Sequence, residues 1–177
     1  MKKILYIFII ILSFLICFFL QSNFFSWFTI NGIKPNLFII LVLFLGLFGG
    51  RKLGVIFGII FGLLIDFLSS YQIGITAIMF GLVGYLGGYF DKNFSKESRI
   101  TIMIMVVGAT IVSETGIYLI NSLILKSNIE ILEFIKIVLV ETVFNIIITI
   151  ILYSLLQKLG YKLEDEFKQS KILTRYF

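Results

Sequence analysis

The chain has 177 residues and a net charge of +5, with 59% apolar and only 14% charged residues. An ordinary water-soluble domain carries roughly a quarter charged residues, so this composition excludes that class and predicts an integral membrane protein. The basic residues are scattered between apolar runs and form no single stripe, which argues against a nucleic-acid surface.

Six long apolar runs predict an all-α fold, a single bundle of six transmembrane helices. None of the runs alternates apolar with polar residues, so each is expected to satisfy its backbone hydrogen bonds as a helix. The spans are predicted at about residues 4–20, 36–49, 53–68, 72–90, 100–125 and 137–156. We therefore expect a transmembrane domain over residues 1–156 and a short cytoplasmic tail over residues 157–177.

Basic residues orient this bundle with both termini in the cytoplasm. Three of the fifteen, Lys34, Lys126 and Lys136, then lie outside. The positive-inside rule predicts such a bias for a membrane protein with both termini inside. The other twelve lie inside: Lys2, Lys3, Arg51, Lys52, Lys92, Lys96, Arg99, Lys158, Lys162, Lys168, Lys171 and Arg175.

The second and third spans are short for a bilayer. Fifteen or sixteen residues reach only about 23 Å, against a hydrocarbon core of about 30 Å. Snorkelling of Arg51 and Lys52 or local thinning of the bilayer would make up the difference. A re-entrant hairpin is the alternative, and it leaves the sidedness of the later spans unchanged.

Two of the predicted outer connections have an interfacial character. Residues 21–35 form an outer loop whose aromatic side chains, among them Phe24, Trp27 and Phe28, suit the headgroup region. In SNIEILEFIK, residues 127–136, Glu130, Glu133 and Lys136 are three residues apart, which predicts a short, separate interfacial helix.

Glycines recur on the third and fourth spans at spacings that suit close helix packing. Such small-residue stripes let two helices approach each other. We expect them to pack helices within the chain or, alternatively, to receive a helix from a partner. The glycines concerned are Gly54, Gly58, Gly62, Gly81 and Gly84.

Three carboxylates fall in the predicted outer half of the spans: Asp66, Glu114 and Glu141. On the fifth span Thr110, Glu114, Tyr118 and Asn121 share one helix face, and on the sixth Glu141, Asn145 and Thr149 share another. Lipid offers these groups no partner, so the two stripes are expected to face each other or a cavity. They form either an outward polar pocket or docking site, or polar contacts between helices.

Three ionised acids near one level would repel each other. Protonation, a bound ligand or a cation such as Lys34 or Lys136 is therefore expected near them. Asn36, at the entrance to the second span, is placed with this group.

Catalysis and metal binding have little support in the sequence. The chain contains no histidine and one cysteine, Cys17, and no nucleophile motif or phosphate-binding loop is present. We predict a protein that is not an enzyme and that needs no cofactor.

A family resemblance is carried by residues 34–90, KPNLFIILVLFLGLFGGRKLGVIFGIIFGLLIDFLSSYQIGITAIMFGLVGYLGGYF. This stretch resembles the rod shape-determining protein MreD family. The matching features are Lys34-Pro35-Asn36, the glycine-rich basic turn, Gly62 to Asp66, Gly74, Ala77 and Gly84-Tyr85-Leu86. The order and spacing of these features carry the resemblance.

The resemblance implies a scaffold of the bacterial cell-wall elongation machinery that maintains rod shape. Its implied partners are an MreC-like bitopic protein and, indirectly, MreB and cell-wall synthases. On this view the glycine-lined or outer polar surface receives the partner helix, and Asp66 lies at its rim.

Two alternatives remain at this point. The family is also similar in fold to the substrate-binding subunits of energy-coupling-factor transporters, which implies capture of a vitamin or small metabolite. Those subunits use an alanine stripe near the N-terminus, whereas this chain has only Ala77 and Ala109. A structural or lipid-handling membrane protein of another family is the second alternative.

Overall fold

The computed structural model describes residues 2–69, 72–93, 96, 98–125 and 130–168. In this part of the chain the fold is all-helical, with one isolated β-bridge between Ile30 and Ile33. The helices are α1 (Lys2–Phe19), a π-helical turn (Leu20–Phe24), α2 (Phe25–Trp27), α3 (Leu37–Gly49), α4 (Arg51–Ser69), α5 (Ile75–Asn93), α6 (Arg99–Leu125) and α7 (Ile131–Lys168).

The all-helical prediction is confirmed, and the predicted spans fall on α1, α3, α4, α5, α6 and α7. Among the residues described, three segments are long and apolar enough to cross a membrane: Ile4–Trp27, Arg99–Ile124 and Ile131–Lys168. The helix Leu37–Gly49 is apolar but shorter.

The first predicted loop is shorter than expected, because the helix continues through its aromatic half. The π-helical turn and α2 carry the first span on to Trp27. The chain then reverses at Asn31 and Gly32, whose positive φ angles of 51° and 79° form a tight two-residue turn. Trp27 is 87% exposed, as a side chain at the headgroup level would be.

A separate interfacial helix before the last span is a wrong prediction. Residues 131–136 are the first turns of α7, which runs for 38 residues without a break. Before Gly160 the helix contains no glycine or proline that would end it.

Helix α7 also passes the predicted boundary at Leu156. Its later residues Gly160 and Leu163 are buried, so this part is packed against the bundle and is not a solvated tail. Residues 169–177, with Lys171 and Arg175, lie outside the described part, as does Lys126.

Helix α3 is the centre of the bundle. Twelve of its thirteen residues are buried, and α1, α4, α5, α6 and α7 all contact it. A helix of this length reaches only about 20 Å. Because other helices surround it, its short length need not expose polar backbone to lipid.

Helices α4 and α5 pack backbone to backbone through glycines. A Cβ added at Gly58 would overlap the carbonyl oxygen of Phe80, and one at Gly54 would lie 2.5 Å from the carbonyl oxygen of Gly84. No side chain larger than hydrogen fits at either position.

The neighbouring glycines complete the same contact. A Cβ added at Gly62 would overlap the backbone of Ala77, and one at Gly84 would overlap the backbone of Gly54. Gly81 meets only the side chain of Ile59, at 2.9 Å, so this position has more freedom. The glycine stripes therefore pack two helices of this chain together.

Four charged side chains close the end of the bundle where α3 stops, which we call the basic end. Lys96 pairs with Asp91 and, at 2.6 Å, with Glu164. Lys168 pairs with Asp91 at 2.6 Å and donates to the carbonyl oxygen of Leu47 at 3.1 Å. Burial opposes the charge on Lys96, but hydrogen bonds with Asp91 and Glu164 outweigh it and raise the pKa of Lys96. This network connects α3, α5 and α7.

Candidate functional site

At the opposite end of the bundle, the polar stripes of α6 and α7 meet. The side-chain amide of Asn145 donates to the hydroxyl oxygen of Thr110 at 3.0 Å. One turn further along, Glu114 is within side-chain hydrogen-bonding reach of Glu141. The spacing of four residues on each helix brings these pairs into register, and the predicted facing of the two stripes is confirmed.

Thr110, Glu114, Glu141 and Asn145 form what we call the polar cluster. This cluster also holds the beginning of α3. The side-chain oxygen of Asn145 accepts from the backbone N–H of Asn36 at 2.8 Å. The side chain of Asn36 accepts from the N–H of Ile39 at 3.4 Å, and Gln21 accepts from the N–H of Leu37 at 2.9 Å. The first N–H groups of a helix have no partner within the helix. Here side chains from α3 itself, from the π-helical turn and from α7 supply those partners.

Gln21 is a residue of this site that the sequence reasoning missed. Its only signal was a lone amide at the end of the first apolar run. The partner it serves lies 16 residues away, across a turn whose geometry the sequence pattern does not specify.

The two glutamates are enclosed to different extents. Glu141 is 6% exposed, and its Oε1 has no hydrogen-bond partner among the described residues. Glu114 is only partly buried, so one edge of the cluster is accessible from the side of α6. A hydrogen bond between two carboxyl groups requires a proton on one of them.

Asp66 does not join the other two acids. Its side chain is fully buried, and Oδ2 accepts from the N–H of Gly74 at 2.7 Å and of Ala77 at 3.4 Å. These groups lie at the start of α5, where the helix dipole favours a negative charge. A carboxylate is tolerated in this apolar run because it caps the next helix. The expectation that Asp66 lies at the rim of a docking surface is therefore wrong.

The lysines expected to neutralise the acids do not do so here. Lys34 and Lys136 are both exposed. The ion pairs of Lys96 and Lys168 lie at the basic end, away from these acids. Lys34 precedes Asn36 by two residues in sequence.

The glycine surface of α4 is also unavailable to a partner, because α5 covers it. Gly108 on α6 differs from the other glycines in the described helices, since a Cβ added there would meet nothing within 4 Å. It shares an outward face with Ile104 and Ile111, which are 65% and 45% exposed. This face has room for a foreign helix to approach.

An outer crevice lies beside the polar cluster. Its volume is about 220 Å³, and its lining includes Ile30, Val143 and Ile147. The lining is apolar and does not include Glu114, Glu141 or Asn145, so this crevice is not the predicted polar pocket.

Comparison with known proteins identifies one family. The family model described as rod shape-determining protein MreD matches residues 1–161. The resemblance read from residues 34–90 is thereby confirmed and extended over most of the chain. No curated protein and no solved structure gives a significant match.

Proposed function

Because the chain belongs to the MreD family of rod shape-determining proteins, we propose that it is a non-enzymatic membrane scaffold of the bacterial cell-wall elongation machinery. It maintains rod shape by binding an MreC-like bitopic partner and, through that partner, acts with MreB and cell-wall synthases. The family match over residues 1–161 is the observation that carries this proposal. The match and the structure give no support to capture of a vitamin or metabolite.

In this proposal the chain crosses the inner membrane six times, with both termini in the cytoplasm. The distribution of the fifteen basic residues supports this orientation, and it makes the basic end the cytoplasmic end. The polar cluster then lies in the outer half. The short α3 fits this arrangement because other helices enclose it.

The partner's single membrane helix docks on the outward face of α6. Gly108 supports this choice, because a small residue lets the backbones of two helices approach closely. Association of helices within lipid depends on such close packing. Apolar side chains gain no hydrophobic free energy when they move from lipid into a contact between helices. The glycines of α4 and α5 cannot serve in the same way, because each already faces this chain.

The polar cluster supports this interface from within. Glu114 and Lys34 are the accessible members, and they are proposed to contact polar groups of the partner near the outer surface. Asn36, Glu141 and Asn145 hold the helix ends that position Glu114. Asp66 contributes indirectly, by fixing the start of α5.

Co-purification in a gentle detergent tests the proposal. Wild-type protein is expected to bring down an MreC-like bitopic protein, and Gly108→Leu is expected to lose it while the bundle remains folded. Ile60→Trp is the matched control, since Ile60 is 44% exposed on the outward face of α4. Wild-type recovery of the partner with Gly108→Leu would place the interface elsewhere, and absence of such a partner from wild-type complexes would overturn the scaffold proposal.

A further inference from the structure

A second crevice lies toward the basic end, between α1, α3 and α7. Its volume is about 290 Å³, and its lining includes Ile9 and Ser13 of α1, Leu41 and Leu45 of α3, and Leu159 of α7. The gap exists because α1 packs on the bundle mainly through Ile10 and Phe14, which are its buried residues.

The lining of this crevice is mostly apolar, and its polar side chains are Tyr6, Ser13 and Lys162. The hydroxyl of Ser13 donates to the carbonyl oxygen of Ile9 at 2.8 Å, so its hydrogen is already used. A buried water needs two to four polar partners. An empty crevice would leave its lining without van der Waals contacts. Hydrocarbon is the occupant that satisfies both conditions.

One charged residue is among those lining the crevice, and it is Lys162. Lys158 lies one turn earlier on α7 and is also exposed. The carboxylate of Glu164 is engaged by Lys96 and Lys168, and Asp165 and Glu166, which follow on α7, do not line the crevice. The crevice thus has a mostly apolar lining in which Lys162 is the charged residue.

We propose that this crevice binds one acyl chain of an anionic phospholipid, with its phosphate headgroup at Lys162. A partner helix is a poorer fit, because a helix is about 10–12 Å across and would have to push α1 away from α3. An acyl chain enters between the helices without moving them. Lipid bound here fills the gap beneath α1 and fastens this helix to the bundle.

Photo-crosslinking with a phospholipid that carries a diazirine in its acyl chain tests the proposal. The purified full chain is placed in vesicles, so the result does not depend on any protein partner. Leu41 and Leu45 are only 8% and 6% exposed, so bulk lipid does not reach them. Labelling of these α3 residues by phosphatidylglycerol is the expected result, and an unlabelled α3 would overturn the proposal.

Two variants separate the acyl site from the headgroup site. Ser13→Phe fills the crevice and should remove the label from α3, whereas Leu12→Phe, at a position 44% exposed to lipid, should not. Phosphatidylglycerol should label α3 about fivefold more than phosphatidylethanolamine, as one lysine near a membrane surface allows. Lys162→Gln should abolish that preference.

The remaining outcomes count against the proposal. Equal labelling of α3 by both lipids in the wild type would remove the headgroup assignment. Crosslinks from the α3 residues to an MreC-like protein in native membranes, with lipid absent, would give the crevice to the partner. Since the vesicle experiment contains no partner, failure there leaves the scaffold proposal standing.

Discussion

Helices α4 and α5 are joined through their backbones, whereas α6 and α7 are joined through polar side chains. In the first pair, an added Cβ at Gly58 overlaps the carbonyl oxygen of Phe80. In the second pair, Asn145 and Thr110 hydrogen-bond across the gap, and Gly108 faces open space. The first pair is a closed internal contact. The second keeps an outward face free for a partner.

The largest expected effect comes from forcing the glycine contact apart. Gly58→Leu should destabilise the bundle by about 3 kcal/mol or more, because the obstructing atoms are backbone and cannot move aside. Thermal unfolding in detergent measures this, with Gly108→Leu as the matched control. A Gly58→Leu protein as stable as the control would show that α4 and α5 are not packed as described.

Loss of the amide of Asn145 should have the next largest effect. Asn145→Leu leaves the N–H of Asn36 without its acceptor and removes the hydrogen bond that the hydroxyl oxygen of Thr110 accepts, at a cost of about 1–3 kcal/mol. Thr149→Val is the control, since the hydroxyl of Thr149 donates only to the carbonyl oxygen of Asn145 within α7, at 2.7 Å. Unfolding curves that rank the two variants in the reverse order would argue against the cluster's role in holding α3.

The cap on α5 should have a smaller and more specific effect. Asp66→Ala removes the acceptor for Gly74 and Ala77 and should cost about 1 kcal/mol. Asp66→Asn keeps an acceptor oxygen and should retain most of the stability. Hydrogen exchange at the N–H of Gly74 provides the local readout. Equal protection in wild type and Asp66→Ala would mean that this cap is not formed.

The smallest expected effect in this series is that of pH on the ion pairs at the basic end. The pKa of Lys96 is raised in the folded protein. Its contribution to the free energy of unfolding is therefore complete below its unfolded pKa of about 10.4. That contribution should disappear as pH rises through the higher folded pKa. The unfolding temperature of wild type should therefore approach that of Lys96→Met above about pH 10.5. Lys52→Met, at an exposed lysine, should show no such convergence, and a constant gap for Lys96→Met would contradict the assignment.

The sequence alone predicts only part of this difference between the α4–α5 contact and the α6–α7 contact. Spacings of four residues were enough to place Thr110 and Glu114 opposite Asn145 and Glu141, because helical periodicity determines which side chains share a face. The same reasoning could not tell which helix fills a glycine stripe, since a small residue permits any close neighbour. For that reason Gly58 was a candidate for partner binding, and Gly108 was overlooked.

Partners that are far apart in sequence explain the other differences between the predicted and the observed contacts. Asp66 seemed to need a charged or polar companion, but its partners are backbone N–H groups at the start of the next helix. Gln21 and Lys168 serve the two ends of α3 from distant parts of the chain, across sequence separations of 16 and 121 residues. A hydropathy pattern contains no information about such separations. It did predict where the helices lie, because the apolar length of a helix is a local property.

The face that receives the partner can be tested most directly by site-specific photo-crosslinking in living cells. A photoreactive residue at Ile111 on α6 and another at Ile60 on α4 would be compared, since the two side chains are 45% and 44% exposed. Adducts with an MreC-like bitopic protein from position 111, and little or none from position 60, are the predicted result. Adducts from position 60 with none from position 111 would contradict the account.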